Sequence, residues 1–376
     1  MGPRTAVTAV FFLSGAAFSS WYARLPSIQE RLDLGPGAVG LALLGAPLGL
    51  LIAQPAVGAI IARRGSRPLV AAAPLYLAAM VLPALAVNTL TLLAALTVLG
   101  AANGALDISM NAQGLVVERA VGRRLFSSLH AAFSFGALAG AMLAAAVAGL
   151  GVPTLPHLAA TAAIGAVAAL VIARGLLPDR PDGDRPAPRV ARPSWRLATY
   201  GAIAFCVLLA EGAVFDWSGI YLATELQTGA GLAPIGLAAF SLTMGVGRLL
   251  GDPASGRFGD AFVAGLGAVL AATGLGLALA TDIVAAAIAG FAAMGLGLAA
   301  VFPLALRAAA RNTDTSAPDL AAVSTVGYLG FLLGPPAIGA LAELSSLRMA
   351  LLLVCGVCLV AAALASRIGS GAEAGR

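Results

Sequence analysis

Asn103, Asp107 and Asn111 recur every four residues inside an apolar stretch, so on a helix they share one face. A carboxylate between two amides can exchange a proton, hold a cation or hydrogen-bond a polar solute. An ionised aspartate at the centre of a membrane helix costs roughly 2.5–3.5 kcal/mol on insertion scales, so the stripe must face a cavity or protein. A polar cluster packing two helices together is the structural alternative. Glu211 and Asp216 lie in another apolar stretch, with Trp217 beside them. Acids at such depth serve cations, protons or polar solutes, although Asp216 is far enough out to reach water. Trp21 and Trp217 suit either an aromatic belt or stacking on the apolar face of a sugar. His130 offers a group that titrates near neutral pH, or a hydrogen-bonded helix end. Arg248 is the one arginine inside an apolar stretch, able to snorkel or to pair with Asp252 four residues on.

Other chemistries lack their parts. Cys355 and Cys358 spell C-x-x-C, but within an apolar run without the surroundings a redox pair needs. Gly245, Gly247 and Gly251 imitate a dinucleotide loop where no strand can precede them. No Walker sequence, metal-spaced His/Cys set or nucleophile elbow occurs, so neither ATP-driven transport nor catalysis is expected, and no cofactor.

The elements that carry these residues follow from composition. The 376 residues are 60% hydrophobic and 10% charged, too few charges for a soluble surface. Apolar runs near 5–24, 37–62, 68–87, 89–117, 127–150, 155–175, 197–223, 233–253, 261–280, 283–307, 317–342 and 346–366 are long enough to cross a bilayer. An all-α membrane protein of twelve transmembrane helices is expected. All 22 basic residues are arginines. With both termini inside, the outer loops hold only Arg24, Arg31 and Arg348, which places the termini in the cytoplasm and the chain in the inner membrane, in contact with lipid and not with nucleic acid. Residues 178–195, crowded with proline, arginine and aspartate, read as a cytoplasmic linker between bundles at 1–177 and 196–376. The halves align at a nearly constant spacing: Trp21 with Trp217, Gly40-Leu41-Ala42 with Gly236-Leu237-Ala238, and His130, Phe133 and Gly136 with Tyr328, Phe331 and Gly334. A parallel repeat of six helices is a transporter architecture, its halves rocking about a central site.

After the second span comes Gly58, then Ala62-Arg63-Arg64-Gly65-Ser66-Arg67. It resembles the signature loop of the major facilitator superfamily, G-x-x-x-D-R-x-G-R-R. A degraded copy follows span eight, with Arg248, Asp252, Arg257 and Gly259. The aspartate of the motif is replaced by Ala62 and Gly256, leaving its charge lock to Asp252 or Glu118. The stretches 103–111, 127–134 and 211–217 are similar to a branch of fucose-permease-like and MosC-like transporters. That resemblance implies two pseudo-symmetric six-helix bundles, a cytoplasmic gate at the two loops, and a sugar- or polyol-like solute. A monomeric secondary transporter is expected, driven by protons through Asp107 or Glu211. Efflux of amphipathic compounds or drugs is the rival within transport. A non-transporting sensor or assembly protein is the rival of another class.

Overall fold

The computed structural model describes residues 1–179, 194–310 and 316–368. Its helices are α1 (Pro3–Tyr22), α2 (Leu25–Leu32), α3 (Pro36–Leu43), α4 (Gly45–Arg64), α5 (Arg67–Ala71), α6 (Ala73–Ala79), α7 (Thr89–Val121), α8 (Phe126–Gly149) and α9 (Thr154–Ala173) in the first half. The second half holds α10 (Trp195–Thr224), α11 (Ile235–Phe258), α12 (Asp260–Leu279), α13 (Val284–Leu298), α14 (Val301–Ala310), α15 (Ser316–Leu344) and α16 (Leu347–Ala365). Among the described residues, ten helical stretches are long and apolar enough to cross a membrane. The other two crossings of the expected twelve are the broken segment 67–85 and α11, which carries Arg248, Asp252 and Arg257.

Local chemistry sets the helix ends. Asn88 accepts from Thr91 N at 2.9 Å while Thr91 Oγ1 accepts from Asn88 N, a reciprocal cap that starts α7. Three spans expected as single helices are interrupted, and proline explains each. The carbonyl four residues before a proline is blocked by the ring, so a helix tends to break there. Pro47 stands four beyond the end of α3, Pro303 follows the end of α13 by five, and Pro68, Pro74 and Pro83 punctuate the third crossing. Pro335 and Pro336 are carried inside α15 without ending it.

Within the first half α1 packs on α8 and α4 on α7; within the second α10 packs on α15 and α11 on α13. The halves meet where α8 lies on α11 and α3 on α15, giving two six-helix bundles side by side. The latter seam depends on glycine. A Cβ on Gly40 would sit 2.6 Å from Pro335 O, and one on Gly339 would sit 2.7 Å from Pro36 O. Glu343 closes it further, accepting from Gly37 N at 3.0 Å. Of the two helices of the second span, α3 follows α15 closely and α4 barely touches it. Large apolar side chains such as Ile52, Leu75, Ile164 and Leu277 lie exposed on the outside, as a lipid-facing surface requires.

Candidate functional site

Between the bundles lies a cavity of about 200 Å³, walled by α1, α3, α4, α6, α7 and α8 on one side and by α10 and α15 on the other. Of the polar residues singled out from the sequence, Asn103, Asp107, Glu211, Asp216 and Trp21 line it. Asn111 does not line it but braces Asp107. Its amide donates to the Asp107 carbonyl at 2.8 Å and to Oδ1 at 3.2 Å, a contact made possible by their spacing of one helical turn. Tyr76 from α6 and Tyr328 from α15 join the wall, so this part of the cavity is polar on both sides of the seam.

Glu211 is held differently. Arg248 reaches across from α11, its Nη2 3.4 Å from Glu211 Oε1. Its Nη1 donates to Ser134 Oγ at 2.8 Å and to His130 O at 3.1 Å, both on α8. Arg248 therefore joins α8, α10 and α11, and Asp252 turns to other partners. Asp252 accepts from Arg307 at 2.5 Å and, across the seam, from Ser127 Oγ at 2.8 Å.

Asp216 is 5% exposed. Among the described residues no hydrogen bond or ion pair to its carboxylate is found. On the same cavity wall Phe18, Tyr22 and Phe215 form a ring cluster, with centroids 4.7 Å apart for Phe18–Tyr22 and 5.1 Å for Phe18–Phe215. Trp21 stacks on Tyr22 at 4.0 Å. Trp217, its sequence counterpart, is fully buried away from the cavity, with an indole N–H unpartnered among the described residues. The His130 imidazole lies against the Phe11 and Phe126 rings, at 5.4 and 5.5 Å, and does not line the cavity.

The two signature loops are built unlike each other. Gly58 faces open space, Arg63 is exposed and Arg67 half-buried. Gly65, at φ 77°, turns the chain so that the Asp179 carboxylate can enter. Asp179 accepts from Ser66 N at 2.5 Å, Ser66 Oγ at 2.8 Å and Arg67 N at 3.2 Å. Burial alone would raise the Asp179 carboxyl, but these hydrogen bonds outweigh it and hold it below the ordinary aspartate range. In the second loop Gly259 turns at φ 86°, and Arg307 pairs with Asp252 and, at 3.6 Å, with Asp260. Arg257 is exposed there, its guanidinium 5.3 Å from the Phe258 ring centre. Glu118 caps α8 instead, accepting from Leu125 N at 2.6 Å and Phe126 N at 3.2 Å. Most of the expected linker lies outside the described residues; of it, Asp179 at the near end makes this loop contact.

Two helical bundles around a cavity whose largely apolar wall carries acids from both sides have the architecture of a multi-pass membrane transporter. The chain is 35% identical over 344 residues to an uncharacterised MFS-type transporter of Yersinia pestis, covering 90% of this chain and 89% of that one. It is 33% identical to the membrane protein MosC of Rhizobium meliloti, over 95% of this chain and 88% of the relative. The model of the Major Facilitator Superfamily matches residues 200–371. A variant of the nucleoside transporter NupG has the same fold, with TM-score 0.77 at 14% identity, over 97% of this chain and 99% of that one. The chain belongs to the major facilitator superfamily.

Proposed function

We propose that this transporter moves a small polar solute of sugar or polyol size by alternating access, coupled to protons at Asp107. The observation that carries this is a carboxylate at the cavity wall, braced by Asn111 and without a cationic partner among the described residues. Water entering the cavity reaches such a group, so it can load and release a proton without crossing lipid. Asn103, Tyr76 and Tyr328 supply hydrogen-bonding groups for a hydroxylated solute nearby. The excess of arginine in the loops on one side supports a topology with both termini in the cytoplasm, as a protein of the inner membrane would have. The α3–α15 seam and the loops at 65–67 and 252–260 are the gates on opposite faces.

Asp107→Asn keeps size and hydrogen bonding but removes the titration. It is expected to abolish uphill accumulation in proteoliposomes under an imposed pH gradient while leaving downhill exchange measurable. Uphill accumulation with unchanged pH dependence in that variant would assign the proton to another group. The many aromatic and aliphatic groups of the wall also favour a second reading, efflux of amphipathic compounds. Export of a lipophilic dye from everted vesicles, with no counterflow of any sugar or polyol, would select it.

A further inference from the structure

We infer that the solute held in this cavity carries a positive charge, seated between the Asp216 carboxylate and the rings of Phe18, Tyr22 and Phe215. The inference rests on the cavity being the solute site. Among the described residues three acids line its wall and no basic side chain does, and the chain contains no lysine. Arg248 compensates Glu211, and Asp107, held by the neutral Asn111 amide, is the proton site proposed above. Asp216 is left: nineteen-twentieths buried, on the cavity wall, and unpartnered among the described residues.

A buried carboxyl that keeps its charge needs a partner, since leaving water without one costs far more than a hydrogen bond returns. A hydroxyl could donate to it but would leave its charge uncompensated. The neighbouring rings point further. The centroids of Phe18, Tyr22 and Phe215 lie within 5.6 Å of one another, and ring faces attract cations. An ammonium group satisfies the carboxylate and the rings together. Phe18 and Tyr22 come from α1 and Phe215 and Asp216 from α10, so a cation there is gripped by both bundles at once.

Two matched pairs of probes test this on the purified full-length protein by calorimetry: glucosamine against glucose, and choline against its uncharged carbon analogue dimethylbutanol. The charged member of a pair should bind roughly tenfold tighter or more. Asp216→Asn should remove that preference, and Phe215→Leu should reduce it for choline while Asp216 stays in place. Equal affinity within each pair in the wild-type protein overturns the inference and leaves the solute site standing. A preference that survives Asp216→Asn overturns the seat proposed here. Failure of all four probes to bind overturns the inference and the reading of the cavity on which it rests. The wild-type comparison stands even if a variant fails to fold.

Discussion

Each bundle brings to the cavity one acid with a side-chain partner, Asp107 from the first and Glu211 from the second, and the two are secured in opposite ways. Asp107 is braced inside its own helix by Asn111, whereas Glu211 is tied by Arg248 to α8 of the other bundle. The fold is duplicated but its polar fittings are not. A brace within one helix moves with that helix, so it leaves the acid's environment intact while the bundles rock. An ion pair that also donates across the seam resists their separation. The first acid is thus suited to exchange and the second to strapping the bundles together.

The largest effect should come from cutting that strap. Arg248 and Glu211 have side chains 16% and 14% exposed, so removing one partner leaves a nearly buried charge alone. Arg248→Met is expected to cost about 3–5 kcal/mol, read as a large fall in the melting midpoint in detergent. Adding Glu211→Gln should recover most of the loss, because an uncharged replacement of a buried pair is often neutral. A single variant that melts like the wild-type protein would reduce the pair to a bystander and remove the contrast with Asp107.

The signature loops repeat the contrast at the membrane surface. The first borrows a carboxylate from the segment joining the bundles; the second is closed by Arg307 of its own bundle. Asp179→Ala removes three hydrogen bonds at a half-buried site and is expected to cost about 1 kcal/mol, as the loss of a helix cap does. The sign with pH follows from the depressed carboxyl. Its contribution is complete above the ordinary aspartate value, about 3.9, and is lost as the pH falls from there through the lower folded value. The melting difference between Asp179→Ala and the wild-type protein should therefore be constant near neutrality and shrink only in strong acid. A difference that already shrinks toward neutral pH would mean that Asp179 does not form the clasp.

Much of this was legible in the sequence because its signals are local. Apolar run length announces a membrane crossing, and an i,i+4 stripe announces one helix face, so the fold and the shared face of Asn103, Asp107 and Asn111 could be read directly, but not that Asn111 lies off the cavity and braces Asp107. The helix breaks at Leu44 and Ala72 were signalled by Pro47 and Pro74, but one apolar run hides whether a proline kinks or ends a helix. What stayed hidden is long-range. Nothing in the sequence near Arg248 points to Ser134 rather than Asp252, since that choice depends on how α11 crosses α8. Asp179 reads as one charge of a solvated linker, yet its carboxylate accepts from Ser66 and Arg67 of the first loop. Tyr22, Tyr76 and Phe215 look like ordinary membrane aromatics until the bundles bring them to one wall.

The smallest expected effect concerns the two symmetry-related tryptophans, which the repeat makes equivalent and the packing does not. Trp21 lies on the cavity wall, stacked on Tyr22. Trp217 is buried and does not line the cavity, and its indole N–H finds no partner among the described residues. Replacing a buried unpaired donor by an apolar group of similar shape removes a desolvation penalty and opens a small void, and the two terms oppose. Trp217→Phe should therefore leave the melting midpoint within about 1 kcal/mol of the wild-type stability and solute binding unchanged. Trp21→Phe removes a ring from the wall itself and should weaken solute binding several-fold at similar stability. Equal effects of the two on binding would mean that Trp217 reaches the solute during the transport cycle, and the division between a cavity tryptophan and a packing tryptophan would fall.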